Sequence, residues 1–91
     1  MEFEWDEAKR RTNLEKHGVD LLDGAIIFQG QLVTFEDQRF DYGEPRLVSI
    51  GLVEGQYYVV VHTKRDGVTR LISTRKGGRR DKRRYQAGIA G

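Results

Sequence analysis

The sequence predicts an α+β domain: a mostly antiparallel sheet with two N-terminal helices on one face and a short basic helix near the C-terminus. Two observations carry this. Glu54-Gly55 and Asp66-Gly67 are two-residue turn signals between runs rich in Val, Ile, Thr and Tyr, which read as consecutive hairpins. Asp6 and Asp20 stand as N-caps before helical stretches, with Gly18 and Gly30 placed to end them. Residues 1–91 are one domain's length, too short for a second fold beside the first, with 86–91 expected to fray.

In chain order, "FEWD" alternates apolar and acidic residues, as a short first strand would. A surface helix over 7–17 follows, acidic at its start and basic at its end. Only Ala8, Leu14 and the stems of long cations are available as its apolar stripe. Asp20 opens a second helix through "LLDGAIIF", where Leu21, Leu22, Ala25, Ile26 and Phe28 form a broad apolar face. "LVTFED" is a strand, and "DQRFDYGEP" the loop after it, punctuated by Gly43 and Pro45.

Counting outward from the two turns sets a register. Leu52 faces Tyr57, Ile50 faces Val59 and Val48 faces Val61, with Ile72 facing Val61 from the other side; this face is the expected core. The opposite face carries Ser49, Gly51, Tyr58, Val60, His62, Leu71, Ser73 and Arg75, with Tyr58 opposite Arg75, and is expected to be open and mixed. Gly77-Gly78 then break the strand, and "RRDKRRYQA" reads as the last helix.

Charge is distributed unevenly along the chain. Residues 1–61 hold 6 Lys/Arg against 12 Asp/Glu, and residues 62–91 hold 10 against 2. Within "STRKGGRRDKRRY" seven cations accompany one carboxylate, Asp81. Arg79 with Arg83 and Arg80 with Arg84 are like charges at i,i+4, which oppose the helix until an anion arrives. Guanidinium forks beside a positive helix end suit phosphate groups, and neighbouring tyrosines suit unpaired bases, so the residues point to single-stranded RNA. The plainer reading is a solvated basic face. No cysteine is present, so disulfides and thiolate metal sites are excluded. No apolar run approaches a membrane span and no signal peptide precedes the first strand, so a cytoplasmic protein with no membrane partner is expected.

RNA is cleaved without metal when its 2′-hydroxyl attacks the adjacent phosphate, a step that needs a base, an acid and cations around the phosphorane. His17 and His62 are the residues that titrate near neutrality. Each has a plainer role, His17 closing the first helix and His62 filling a cross-strand position against Leu71. The acids lie mostly in the first part of the chain, away from the basic segment, which argues against metal-dependent cleavage, and no cofactor is expected.

Taken in order, "FEWDEAKRRTNLEKHGV", "EPRLVSIG", "HTKRDG" and "RLISTRKGGRRDKRRY" resemble the BrnT family of type II toxins, from Phe3 to Tyr85. The resemblance implies a small RelE-like fold and a ribonuclease held inactive by a BrnA-like antitoxin, whose ribbon-helix-helix part binds operator DNA. The positions matching the family pattern are Trp5, Asp6, Lys9, Lys16, His17, Gly18, Glu44, Arg46, Thr63, Arg65, Arg70, Ser73, Arg75, Lys76, Arg80 and Tyr85. Gly77-Gly78 depart from it, standing where a small residue and a hydroxyl are usual, as does Asp81, where Glu is usual.

The expected catalytic set is Arg75 and Lys76 with Arg80 and Arg65 on the scissile phosphate and His17 as proton carrier. Arg46, Arg70, Arg79, Arg83 and Arg84 would bind RNA, with Tyr58 and Tyr85 as stacking platforms. The substrate is RNA, free or on the ribosome. The alternatives are a nucleic-acid-binding module without catalysis and a structural chain whose basic helix docks an acidic partner.

Overall fold

The computed structural model describes residues 1–38 and 43–91. The predicted loop over 37–45 therefore lies partly outside the described residues, and its first residue, Asp37, belongs to a strand. The elements are β1 (Phe3–Glu4), α1 (Glu7–His17), a 3₁₀ helix (Leu21–Gln29), β2 (Leu32–Asp37), β3 (Arg46–Val53), β4 (Gln56–Arg65), β5 (Val68–Lys76) and α2 (Arg79–Ala90). They form an α+β structure around one five-stranded sheet of order β1-β5-β4-β3-β2, antiparallel except where β1 runs parallel to β5. Among the described residues no helix is long and apolar enough to cross a membrane.

Local chemistry sets the element ends. The Asp6 carboxylate accepts the Ala8 and Lys9 N–H groups at 2.8 and 3.3 Å, satisfying donors that the first turn of α1 would otherwise leave bare. Gly18, at φ 72°, returns its N–H to the Leu14 carbonyl. Both hairpin turns take positive φ at their two central residues, Glu54 and Gly55 and then Asp66 and Gly67, the geometry that follows the twist of the strands.

The second helix is wound more tightly than an α-helix. At three residues per turn, positions i, i+3 and i+6 stack on one side, and Leu21, Gly24 and Ile27 are its buried residues. This ridge lies on the sheet over Val60 and Leu71, with Phe3, Phe28, Leu32 and Tyr58 around it. The Thr74 hydroxyl donates to the Leu21 carbonyl at 2.9 Å, anchoring the start of the ridge to β5. Ile27 seats directly on Gly51, where a β-carbon would fall 2.5 Å from its own.

The β3–β4 register is the predicted one. On the other side of β4 it slips. Leu71 faces His62 but Ser73 faces Val61, so Ile72 is an extra residue that bulges from β5. Every residue of β5 beyond the bulge is consequently turned over. Thr74, not Ser73, faces Val60; Arg75 faces Val59, and Lys76 faces Tyr58. The predicted Tyr58–Arg75 pair does not form.

The face expected to be open is the more deeply buried one, because the 3₁₀ ridge covers it: Ser49, Val60 and Thr74 are fully enclosed. The other face is also covered in part, by α2 rather than by the N-terminal helices, with Tyr85 packing on Val48, Ile50, Val59 and Tyr57. α2 continues to Ala90, into the segment expected to fray. α1 lies against β5, where buried Asn13 donates to the Thr74 carbonyl at 2.9 Å and accepts the Thr74 N–H at 2.9 Å. The Arg10 guanidinium grips Asp20 through two bonds of 2.8 and 2.9 Å and ties α1 to the start of the 3₁₀ helix.

Candidate RNA-binding cleft

Where α2 leaves β5 it stands away from the sheet, and a cleft of about 400 Å³ opens between them. Its floor is Val48, Val59, Val61 and Phe35; Arg75, Arg80, Asp81 and Arg84 come from the end of β5 and from α2; Glu36, Asp37 and Gln38 close the far end. Gly77 sets the position of α2. Its N–H donates to the Tyr57 carbonyl at 2.7 Å, and a β-carbon there would lie 2.9 Å from that of Tyr57, so the strand-to-helix joint can sit this close only as glycine.

Arg75 is held in place by Asp81. Its two terminal nitrogens donate to the two carboxylate oxygens at 2.8 and 3.0 Å, and Asp81 also accepts the Gly78 N–H at 2.9 Å. The Arg75 guanidinium, helped by that N–H, holds the Asp81 carboxyl below its ordinary range although partial burial pulls the other way. Arg84 sits over Phe35, its guanidinium carbon 3.6 Å from the ring centre. Arg80 makes no hydrogen bond or ion pair with any described residue. The cleft thus presents one anchored guanidinium, one seated over an aromatic ring and one without a hydrogen bond or ion pair, over an apolar floor.

Residues 5–81 match the family model described as the ribonuclease toxin, BrnT, of type II toxin-antitoxin systems. The chain belongs to the BrnT toxin family. It is therefore a ribonuclease toxin of such a system, with RNA as its target and a protein antitoxin as its partner. Comparison with curated proteins gives no match.

The BrnT cleft collects only some of the residues singled out from sequence. Arg75, Arg80 and Arg84 meet there. Arg46, Arg65 and Arg70 share the same sheet face beyond the end of α2, by strand alternation from Val48, Val61 and the Thr63–Arg70 pair. Arg65 is paired with Glu44 at 3.1 Å and Arg70 with Glu4 at 3.6 Å. Lys76, next to Arg75 in a strand, points to the opposite face, so the two do not converge. Arg79 and Arg83 are exposed on α2 and line no part of the cleft.

Neither tyrosine offers a free ring. Tyr58 packs against the core beneath the 3₁₀ helix, and Tyr85 sits edge-on to Tyr57 at 5.4 Å with its hydroxyl donating to the Gln31 carbonyl. Neither histidine lines the cleft. His17 closes α1, which packs on β5 and the 3₁₀ helix. His62 is 5% exposed, edge-on to Phe28, with Nε2 2.7 Å from the Ser49 hydroxyl. Burial, with Lys64 adding a smaller push, lowers its pKa to about 4, so it is neutral at physiological pH.

Phe35, Glu36 and Asp37 are cleft residues that the sequence did not mark. "LVTFED" reads only as a strand, and its proximity to the basic helix arises from a sheet order in which β2 is the last strand. The available signal was its alternation: Phe35 and Asp37 fall on the side of Val48 once β2 is paired with β3.

Proposed function

We propose that the protein is a metal-independent endoribonuclease whose α2 cleft holds the scissile phosphate. The observation that carries this reading is the meeting of Arg75, Arg80 and Arg84 over one small cleft. In this reading Arg80, which makes no hydrogen bond or ion pair with any described residue and acts on Asp81 only through its charge, and Arg75 receive the phosphate, and their charge is met most fully by the phosphorane. The RNA 2′-oxygen attacks phosphorus, the 5′-oxygen of the next nucleotide leaves, and a 2′,3′-cyclic phosphate results.

A base takes the 2′-hydroxyl proton and an acid returns one to the leaving oxygen. With both histidines elsewhere, Asp81 is the carboxylate beside Arg75. It is ionised at neutral pH and so able to accept the proton, though its lowered pKa makes it a weak base. Most of the rate enhancement then falls to electrostatic stabilisation by the guanidinium groups. The family resemblance extends the proposal to a RelE-like fold, a cytoplasmic site of action on free or ribosome-bound RNA, and a BrnA-like antitoxin that carries the complex to operator DNA.

Incubation with single-stranded RNA in excess EDTA tests the reading. The parent protein is expected to produce cyclic-phosphate ends, and Arg75→Ala to lose about 100- to 1,000-fold in rate with an unchanged circular dichroism spectrum. RNA that stays intact with the parent protein, free and on ribosomes, while still bound would favour a non-catalytic binding module.

A further inference from the structure

We infer that the cleft holds two successive phosphates of the RNA, the scissile one on Arg75 and Arg80 and its neighbour on Arg84, which Phe35 positions. The inference deepens the RNA-directed reading and rests on it for the class of ligand. Arg75 is on β5 and Phe35 on β2, with Val59 and Val61 on β4 and Val48 on β3 between them. Three strand spacings separate the ends of this row, about 14 Å. Strand side chains stand roughly perpendicular to their sheet, so the guanidinium over Phe35 and the one clamped by Asp81 keep most of that separation. A single phosphate cannot touch both.

Arg84 is ready for an anion of its own. It is exposed, and it makes no hydrogen bond or ion pair with any described residue; the Phe35 ring is what holds it. Five N–H groups fan out from the guanidinium, and one ring beside its carbon cannot engage them all, so donors remain for a phosphate. Arg80 and Arg84 lie one helical turn apart, about 5–6 Å between their Cβ atoms, and repel each other until anions meet their charges. The acidic residues at the β2 end do not fill that role. Glu36, opposite Leu47, projects to the other face of the sheet, and Asp37 is 7% exposed and already engaged with another group.

Between the two cationic ends the floor is Val48, Val59 and Val61. Charge, apolar surface and charge follow one another in the order phosphate, nucleoside, phosphate of the strand itself. A sugar and base can give up water to valines, whereas a phosphate cannot. With a charge-assisted contact of about 2.8 Å at each end, the length that remains is on the order of one nucleotide step. The substrate is therefore RNA whose scissile phosphate has a charged neighbour, and a dinucleotide with no terminal phosphate occupies only one end of the cleft.

Titration of the full chain with three uncleavable 2′-O-methyl dinucleotides decides the matter: UpU alone, UpU with a 5′-terminal phosphate and UpU with a 3′-terminal phosphate. One of the terminal phosphates is expected to tighten binding at least about tenfold at low salt. It should also steepen the dependence of log affinity on log salt by about 0.7. The readout is this ratio within each variant, so a general change in affinity does not enter. Arg84→Gln is expected to abolish the gain and Phe35→Leu to reduce it, whereas Phe35→Tyr, which keeps the ring, retains it. Lys82→Gln removes a charge from an exposed position of the same helix that lines no part of the cleft, and is expected to preserve the gain. Equal binding of the three dinucleotides, or an equal fall in the ratio for Lys82→Gln and Arg84→Gln, would overturn the inference even if RNA is cleaved. A gain that depends on Arg84, without any RNA cleavage, would uphold it while refuting the nuclease reading.

Discussion

The sheet face under the 3₁₀ helix and the face under α2 are built from alternate residues of the same strands, yet the first is dry and closed and the second keeps a charged cleft. The difference lies in what covers them. The 3₁₀ ridge is apolar, and it meets small residues: Gly24 abuts Val60 and Thr74, and Ile27 rests on Gly51, so backbone approaches backbone and no space is left. α2 offers the sheet Tyr85 and Gly88 over part of its length but Arg80, Asp81 and Arg84 at its start. Charged side chains cannot be buried there without partners, so the helix end stays off the sheet. Close packing is concentrated on one face and the guanidinium-lined cleft on the other.

Acid should break the closed face first. Below pH 6.5 an unfolded chain protonates His62, whereas the folded chain resists until about pH 4. Stability is therefore expected to fall as the pH drops through that window, by about 3 kcal/mol at its lower end. Urea titrations at pH 7 and pH 4.5 check this, with His62→Gln expected to lose most of the pH dependence; an equal slope in that variant would refute the assignment. The neighbouring network explains the cost. Thr34 and Ser49 hydroxyls lie 2.7 Å apart and Ser49 reaches Nε2, while Nδ1 has no partner among the described residues. Nε2 can give or take the proton shared with Ser49, but protonating both ring nitrogens would leave Nδ1–H as a buried donor without a partner among the described residues.

Gly51→Ala is expected to cost less, about 2 kcal/mol, because the added methyl must displace Ile27 and lift the ridge. A lowered urea midpoint with retained RNA binding would show that the two faces are energetically separate. Loss of both together would show that the ridge also holds the cleft in shape. The smallest effect is expected on the open side. Gly78 precedes α2 at φ −104°, with nothing within 4 Å of where a side chain would start, so Gly78→Ser adds a cap without strain. A gain of only a few tenths of a kcal/mol is expected in the same assay.

Much of this contrast could be read before the coordinates, and the part that could not has a specific cause. The ends of α1 and both hairpin turns are local: an Asp before a helix, a Gly after it, and an acidic residue followed by Gly between β-rich runs decide them without help from the rest of the chain. The bulge at Ile72 is not local. "RLISTRK" alternates without interruption, and nothing in it marks the residue at which the ladder skips. That single slip reversed Arg75, and with it the identity of the charged face. Lys76 was a different error, since adjacent strand residues point to opposite sides whatever the register. The guanidinium side of the cleft was visible as a charge run, whereas its Phe35 and Asp37 side depended on sheet order. Asn13 was hidden for a similar reason, because a polar residue among charged ones gives no sign of being buried against a strand 61 positions later.

That contact governs how this chain can meet others. The outer side of β5 is already taken, near its start by the two residues of β1 and further along by the Asn13 amide, which copies the donor and acceptor of a missing neighbour strand. An extended peptide or a second copy seeking to lengthen the sheet would find those positions filled. Of the two edge strands described, β1 has two residues and offers too little length to template pairing, which leaves β2 for such growth. A segment added along β2 would run past the acidic end of the cleft, so lengthening the sheet and obstructing the site would be one event.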